Sequence, residues 1–153
     1  MFQTKHFHVK HSVDPWYITG FAEGCASFTY SRSGGVVGLY FGIKVSIKDQ
    51  AILQGVQAFF DGIGRVYRSR ASSKLLVKAA PDFLYFRVNR ARELGQLVGH
   101  FDRYPLTGAK AVQYQIWREM VRLKQRFRRP DIQRLTALAL QLSAAARRTH
   151  SQG

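Results

Sequence analysis

Residues 16–28 read Trp16-Tyr-Ile-Thr-Gly-Phe-Ala-Glu-Gly-Cys-Ala-Ser-Phe28, and this stretch decides the fold of the chain. Gly20 and Gly24 lie four residues apart, so on a helix they share one face and leave it without side chains. A second backbone can approach such a face closely. From Ser27 the sequence becomes Ser-Phe-Thr-Tyr-Ser-Arg, and alternation with period two predicts a strand. We therefore expect a helix suited to close packing, followed directly by a sheet.

Four strands are expected on the basis of alternating hydrophobicity, at 27–33, 36–48, 65–70 and 83–88. The longest alternates most clearly. One face carries the core residues Leu39, Phe41, Ile43, Val45 and Ile47, and the other carries Tyr40, Gly42, Lys44 and Ser46. Together with Thr29 and Ser31, the second face predicts the lining of a basic groove. The alternative for that face is an ordinary solvated sheet surface.

The helices are predicted by apolar spacing and by capping residues. Asp14 and Pro15 begin the first helix, Asp49 begins one that runs to about Asp61, and Asn89 begins a third. A fourth extends from about 108 to 127, and Pro130-Asp131 starts the last. The order is α-β-β-α-β-β-α-α-α, without an internal repeat or a linker, and residues 71–81 form a loop or a long hairpin.

Three segments follow from this order. Residues 1–11 form a basic N-terminal arm, residues 12–146 form one α+β domain, and residues 147–153 form a polar tail. In the arm, His6, His8 and His11 have no cysteine or acid beside them. They are therefore better explained as part of a basic segment that touches phosphate than as metal ligands.

The net charge points to a polyanionic partner. The chain has 24 Lys and Arg against 9 Asp and Glu, which gives a formal charge of +15. Of the cations 16 are Arg, which forms bidentate contacts with phosphate and stacks on bases, so nucleic acid is favoured over a membrane surface. A single cysteine excludes an internal disulfide and a zinc site built from cysteines. No apolar run approaches 18 residues, so no membrane span is expected.

Two segments resemble the LAGLIDADG homing endonuclease family. Residues 18–26, Ile-Thr-Gly-Phe-Ala-Glu-Gly-Cys-Ala, lie over the family's nine-residue motif. The second match is Phe86-Arg-Val-Asn…Leu94…His100-Phe-Asp-Arg-Tyr-Pro-Leu106…Lys110…Tyr114. The resemblance covers roughly residues 12 to 145. It implies a four-stranded antiparallel saddle with helices behind it and its open face on nucleic acid. It also implies a mitochondrial or plastid location, which is typical of the family.

One position departs from the family where cleavage depends on it. The eighth motif position is a carboxylate in the family and holds a divalent ion at the scissile phosphate, whereas here it is Cys25. A thiol is a poor ligand for Mg²⁺. The simplest interpretation of Cys25 is a small, half-buried apolar residue; an engineered knockout and a redox role are the alternatives. Glu23 lies about 200° away around a helix and cannot replace the missing acid.

Two further positions of the family's cleavage pocket also differ. A polar strand residue that organises water in the family corresponds to Ile47, and a basic residue two before Lys110 corresponds to Gly108. Lys110 itself matches. Three departures in one pocket predict that no residue is catalytic and that no cofactor is needed, with Mg²⁺ required only by an active endonuclease.

Three functions remain open at this stage. The favoured one is a non-catalytic, homing-endonuclease-derived protein that binds structured RNA. That RNA is either ribosomal, with the chain a structural protein of an organellar ribosome beside other ribosomal proteins, or an intron, with the chain a maturase-like factor. The alternatives are an active homodimeric DNA endonuclease and a DNA-binding regulator. RNA is favoured because arginines on the last helices lie away from the sheet that faces DNA in the family.

The residues expected to contact nucleic acid are polar or basic and lie on the open face of the sheet, Arg68 and Arg70 included, in the 71–81 loop, and at the start and end of the fourth helix. They are Thr29, Ser31, Tyr40, Lys44, Ser46, Arg68, Arg70, Lys74, Lys110, Arg122, Lys124, Arg126, Arg128 and Arg129. Gly20 and Gly24 form the helix-packing face. A homodimer through this face is the less favoured assembly.

Overall fold

The computed structural model describes residues 13–69 and 82–151. It begins with the motif helix α1, Pro15–Cys25. Asp14 caps this helix, since its Oδ1 accepts a hydrogen bond from the Trp16 amide at 2.7 Å, and Pro15 occupies the first turn, where its missing N–H is tolerated. The predicted start of the helix is confirmed.

Four strands form one antiparallel sheet. They are β1 (Ala26–Ser33), β2 (Val36–Ser46), β3 (Arg65–Ser69) and β4 (Phe83–Val88), in the spatial order β1-β2-β4-β3. Gly34 and Gly35 close the first hairpin with φ of +56° and +81°, a conformation that glycine adopts without strain. The four-stranded antiparallel sheet and the α+β class are as predicted.

The remaining helices are α2 (Gln50–Phe59), α3 (Ala91–Arg103), α4 (Lys110–Arg126) and α5 (Ile132–Ser151). Asp131 begins α5 as predicted, with its Oδ1 accepting from the amide of Gln133 at 2.9 Å. The expected cap at Asn89 is wrong, because the residue before α3 is Arg90 and its side chain makes no capping bond. Asp49 likewise precedes α2 without a side-chain cap.

The ends of two elements, β2 and α5, differ from the predicted ones. β2 ends at Ser46 rather than 48, because Ser46 caps a short 3₁₀ turn, Ile47–Asp49, by accepting from the Lys48 amide at 3.3 Å. At the other end of the chain α5 continues to Ser151, so part of the expected polar tail 147–153 is helical. The expected arm 1–11, the loop at 71–81 and residues 152–153 lie outside the described residues.

The core lies between one face of the sheet and the helices. Phe28 is its centre, with ring centroids of Phe41, Phe101, Tyr114 and Trp117 all 5.2 to 5.4 Å away. The predicted inward residues of β2, from Leu39 to Val45, are buried, whereas Ile47 is half-buried and packs against the edge of the core. The helices within residues 13–69 and 82–151 therefore lie behind the sheet, and none of them covers its other face.

The motif helix is anchored by a buried polar pair. Thr19 donates to the Tyr104 carbonyl at 2.8 Å, and His100 Nε2 lies 3.1 Å from the same hydroxyl oxygen. Since the hydroxyl proton is already committed to the carbonyl, the imidazole is the donor of the second bond. Burial among aromatic rings lowers the pKa of His100 to about 4, so the ring is neutral at physiological pH.

No helix within residues 13–69 and 82–151 combines the length and apolar character that a membrane span requires.

Candidate nucleic-acid interface

The side of the sheet turned away from the helices is called the open face here. Strand register defines it, because residues directly opposite each other in an antiparallel pair share a face. Lys44 lies opposite Tyr85, and Tyr85 lies opposite Tyr67. The face comprises Ser27, Thr29, Ser31, Tyr40, Gly42, Lys44, Ser46, Arg65, Tyr67, Ser69, Phe83, Tyr85 and Arg87.

Two cations on the open face, Lys44 and Arg87, lie over aromatic rings. The ammonium of Lys44 lies 4.2 Å from the Phe83 ring centre and 5.7 Å from that of Tyr85. The guanidinium of Arg87 lies 4.3 Å over the ring of Tyr40. Such contacts contribute roughly 0.5–1 kcal/mol at exposed sites, and they hold each charge in place while leaving its donors accessible.

A depression of about 350 Å³ interrupts this face at Gly42. Tyr40 and Arg87 lie on one side of it, and Lys44 and Tyr85 on the other, since Gly42 is the residue of β2 opposite Arg87. Without a side chain at position 42 the floor is backbone. The remaining lining includes the hydroxyl side chains Ser27 and Thr29 of β1.

The structure brings five of the predicted contact residues to this face or its rim. Thr29, Ser31, Tyr40 and Lys44 lie on it as expected, and Ser46 lies at the end of β2, where its hydroxyl also caps the 3₁₀ turn. Arg65, Tyr67, Phe83, Tyr85 and Arg87 are additional members that the predicted set lacks. The alternation of Leu84, Phe86 and Val88 already places Tyr85 and Arg87 off the core, so that signal was available in the sequence.

The predicted position of Arg68 on the open face is wrong. Arg68 lies opposite Leu84, which is buried on the helix side, so its side chain projects to the other face. There it forms an ion pair with Asp82 at 2.6 Å and stays 57% exposed. The sequence shows which residues of β3 share a face but not which face that is, because β3 is a short edge strand with few apolar residues. Arg70 and Lys74 lie outside the described residues.

The glycine face of α1 is open in the single chain. It comprises Tyr17, Gly20, Gly24 and Cys25, which are all exposed, and Trp16 beside them is 56% exposed. A Cβ added at Gly20 or Gly24 would meet nothing within 4 Å. The opposite side of the helix is buried through Ile18, Thr19 and Ala22.

Glu23 fastens the end of α1 to the segment before α4. Its carboxylate accepts from the Thr107 amide at 3.0 Å, the Thr107 hydroxyl at 3.1 Å and the Gly108 amide at 3.0 Å. A Cβ at Gly108 would approach Glu23 Oε1 to 3.2 Å, so the small residue there lets the carboxylate come close. Glu23 is therefore a structural residue. The signal for it is its isolation, because it is the only acid between Asp14 and Asp49.

Lys110, at the start of α4, also contacts the end of α1. Its ammonium donates to the Ala22 carbonyl, one of the last carbonyls of α1, at 3.2 Å. We call the contacts among Glu23, Thr107, Gly108 and Lys110 the Glu23 corner. A cation is favourable at a helix C-terminus because it satisfies unpaired carbonyls and opposes the negative end of the dipole. Burial lowers the pKa of Lys110, and the nearby Cys25 and Glu23 act in the opposite direction.

The donor set at this corner does not fit the divalent ion that the resemblance implies. Cys25 is exposed at the last position of α1, and the one acid nearby, Glu23, already accepts three hydrogen bonds from the 107–108 segment. Mg²⁺ prefers carboxylate and carbonyl oxygens to a thiol. Within residues 13–69 and 82–151 no three His, Cys, Asp or Glu side chains come together as a metal site.

The basic cluster at the end of α4 is only partly free. Arg122, Arg126, Arg128 and Arg129 are exposed, and none forms an ion pair among the described residues. Lys124 differs from its predicted role, because its ammonium is half-buried and donates to the Val37 carbonyl of β2. Arg118, at the start of this cluster, forms a bidentate pair with Asp102 at 2.6 and 2.8 Å and thereby lowers the pKa of that carboxyl.

Comparisons with known proteins agree with this geometry. A family model described as LAGLIDADG endonuclease matches residues 18–121. A Podospora anserina protein named "Uncharacterized 50.9 kDa protein in ND4 intron 1" is 32% identical over 74% of this chain and 25% of its own length. A Neurospora crassa protein named "Probable intron-encoded endonuclease 2" is 30% identical over 72% of this chain and 24% of its own length.

Solved structures share the fold. The LAGLIDADG meganuclease I-AabMI bound to uncleaved DNA superposes with a TM-score of 0.63 at 25% identity, over 74% of this chain and 38% of that one. I-SmaMI bound to an uncleaved DNA target in the presence of calcium superposes with a TM-score of 0.73 at 20% identity, over 85% and 45%. The chain thus spans about a quarter of the curated relatives and less than half of the solved proteins. With the matched motif on α1 and the four-stranded sheet in front of the helices, the chain belongs to the LAGLIDADG endonuclease family.

Proposed function

We propose that this chain is a nucleic-acid-binding protein derived from a homing endonuclease, in which binding is retained and cleavage is lost. The proposed loss of cleavage rests on the residues at the end of α1. Cys25 stands where the family has its metal-binding acid, and Glu23 is held by Thr107 and Gly108. An endonuclease of this kind needs a hard oxygen ligand at that position.

The charge of the sheet supports the proposed retention of nucleic-acid binding. The open face carries the cations Lys44, Arg65 and Arg87 and no Asp or Glu, whereas Arg32 and Arg68 project to the helix side of the sheet. A surface without acids on which cations are held over aromatic rings matches the phosphate backbone electrostatically. Solved relatives such as I-AabMI are bound to DNA, which supports a nucleic-acid partner for this chain too.

RNA is the target that we propose in preference to DNA, with the chain acting in a mitochondrion. Exposed arginines lie where the helices behind the sheet are joined, such as Arg126 at the end of α4 and Arg129 in the link to α5, and they give a second basic surface. A protein embedded in folded RNA meets phosphate on several sides, whereas a duplex ligand needs one basic stripe. Ribosomal RNA and intron RNA are the two classes in question, and the intron named in a relative favours an intron-borne origin.

The second candidate is a DNA endonuclease completed by another copy of the repeat. Two Neurospora crassa relatives carry the name "Probable intron-encoded endonuclease", and the chain covers less than half of the solved meganucleases. The open glycine face of α1 would receive the second repeat in that case.

Cleavage and co-purification tests separate the two candidates. The purified protein is incubated with a randomised DNA library and Mg²⁺ or Mn²⁺, and the products are sequenced; we expect no cleavage above background. Cys25→Asp alone is expected to restore none, because Gly108 and Ile47 also differ from the family. Cleavage by the unmodified chain would establish the endonuclease. Sequencing the nucleic acid bound to protein isolated from its native source then identifies RNA or DNA.

A further inference from the structure

Exposed aromatic rings occupy the half of the open face near β3. Tyr67 and Tyr85 are directly opposite each other on neighbouring strands and are 49% and 37% exposed. Phe83 lies two residues from Tyr85 on the same face of β4, with Lys44 between the two rings. Side chains stand roughly perpendicular to a sheet, so the rings present flat surface as well as edge to a ligand.

Such rings need an explanation on a surface that binds a polyanion. Phosphate contacts are made by cations, hydroxyls and amides, and base edges in a groove are contacted mainly by polar side chains. A tyrosine hydroxyl also reaches phosphate, but the aromatic ring itself, and the whole of the Phe83 side chain, adds little to either kind of contact. Their flat faces gain most by stacking on another planar system.

Paired and unpaired nucleotides differ in what they can offer these rings. In a duplex each base is stacked on its neighbours, so only edges and phosphates are accessible. Unpaired bases in loops, bulges and single strands expose their π faces, and proteins that bind them place aromatic side chains on a basic surface. Tyr67, Tyr85 and Phe83 beside Lys44, Arg65 and Arg87 have this composition.

The depression at Gly42 supplies room beside the rings. It has a volume of about 350 Å³, and Tyr85 and Lys44 form one of its sides. The hydroxyls of Ser27 and Thr29 and the guanidinium of Arg87 line it with donors and acceptors for a base edge. A base stacked on Tyr85 therefore lies next to a polar recess.

We propose that the open face binds unpaired nucleotides, with at least one base stacked on the Tyr67–Tyr85 pair and phosphates held by Lys44, Arg65 and Arg87. This inference rests on the proposed function and adds which part of a nucleic acid is bound and by which contacts. It differs from readout of an intact duplex, in which the same rings would be nearly neutral.

The test compares single strands with duplex. Short oligonucleotides carrying 2-aminopurine, as RNA and as DNA of the same sequence, are titrated with the full chain, and the matching duplexes serve as competitors. Stacking on a tyrosine ring quenches 2-aminopurine fluorescence. We expect single strands to bind more tightly than duplexes and to show quenching, and the tighter of the RNA and DNA arms identifies the class of strand.

Matched variants test the rings themselves. Tyr67→Ile and Tyr85→Ile keep an apolar, strand-forming side chain but remove the ring, whereas Tyr67→Phe and Tyr85→Phe keep it. Each Ile variant is expected to weaken single-strand binding roughly 5- to 100-fold and to abolish its share of the quenching, while the Phe variants stay close to the parent. Thermal melts of all four variants establish that they are folded.

Gly42→Val tests the recess independently. An added Cβ would make an ordinary contact at 3.7 Å with the Phe86 carbonyl, and valine favours strands, so we expect the fold to be retained while the depression is filled. Loss of single-strand binding supports the proposal. If duplex binds at least as tightly and the Ile variants match the parent, the proposal is overturned while the proposed function stands. If neither form binds, both fall.

Discussion

The two surfaces that the helices leave exposed, the glycine face of α1 and the open face of the sheet, differ in almost every property. On α1 the exposed residues are Trp16, Tyr17, Gly20, Gly24 and Cys25, and the helix contains no Lys or Arg. The open face of the sheet carries three cations, Lys44, Arg65 and Arg87, and no acid. The first surface suits an uncharged partner that packs closely, and the second suits a polyanion.

From this difference we expect assembly and binding to be separable in this fold. The glycine face is held by contacts behind the sheet, through Thr19, His100 and the Glu23 corner. The open face is held by strand register and by cation–aromatic contacts. A change on one surface is therefore expected to leave the other intact, and the following experiments test that separation.

The largest expected effect is a loss of stability in acid through the anchor of α1. The pKa of His100 is about 4 in the folded protein, below the ordinary 6.5, so the unfolded chain takes up a proton first as pH falls. Stability is complete above about pH 6.5 and decreases to about pH 4, by up to about 3 kcal/mol. Urea unfolding across this range measures it.

His100→Gln is the control for that experiment, since an amide can still donate to Thr19 but does not titrate. The variant is expected to lose the slope between about pH 6.5 and 4 whatever its overall stability. The low pKa of Asp102 acts only below this window. An unchanged slope in the variant would show that His100 is not the titrating group.

Gly24→Leu is expected to weaken the assembly that covers α1 by about 1–3 kcal/mol, through overpacking of a close interface. In the isolated chain the added side chain has open space, and leucine favours a helix over glycine by about 0.8 kcal/mol. Sedimentation should therefore show a weaker assembly, whereas thermal melts of the isolated chain should show a higher melting temperature. An assembly of unchanged stability would mean that the glycine face is not an interface.

Charges on the open face are expected to contribute about 1.5 kcal/mol each to nucleic-acid binding, through charge-assisted contacts with phosphate. Lys44→Ala and Arg87→Ala should each lower the magnitude of the log–log salt slope by roughly 0.7 to 0.9. Arg68→Ala is the matched control, because Arg68 lies on the other face and is paired with Asp82. An effect of Arg68→Ala equal to that of Arg87→Ala would contradict the assignment of faces.

The smallest expected effect is that of Cys25→Asp on assembly. If a different partner covers α1, the variant adds one carboxylate and its oligomeric state stays the same from about pH 4 to 8. Sedimentation across that range measures it. A dimer that dissociates at neutral pH and reforms in acid would place two carboxylates face to face and establish a homodimer.

The sequence alone predicted the elements that a local pattern of residues determines. Alternation in β2 predicted Leu39, Phe41 and Ile43 inside, and the Asp14–Pro15 pair predicted the start of α1; both are confirmed. The sequence did not predict features that depend on pairing between distant segments of the chain. The face of Arg68 depends on the register of an edge strand.

The contacts at the Glu23 corner have the same origin. Glu23 meets Thr107 only because the chain returns to α1 more than eighty residues later. For the same reason the sequence alone does not show which residues of the basic cluster on α4 form contacts within the protein. Lys124 and Arg118 are two that do.

The contact between Lys124 and Val37 bears on the solubility of the protein. β2 pairs with β4 only from Phe41 onward, so its first residues are paired on the β1 side alone. An unpaired strand edge is a template on which another chain can add a strand, and natural sheets block such edges with lysine. The ammonium of Lys124 occupies the Val37 carbonyl at this edge. We therefore expect acetylation or loss of this side chain to expose the strand edge and to lower the solubility of the protein.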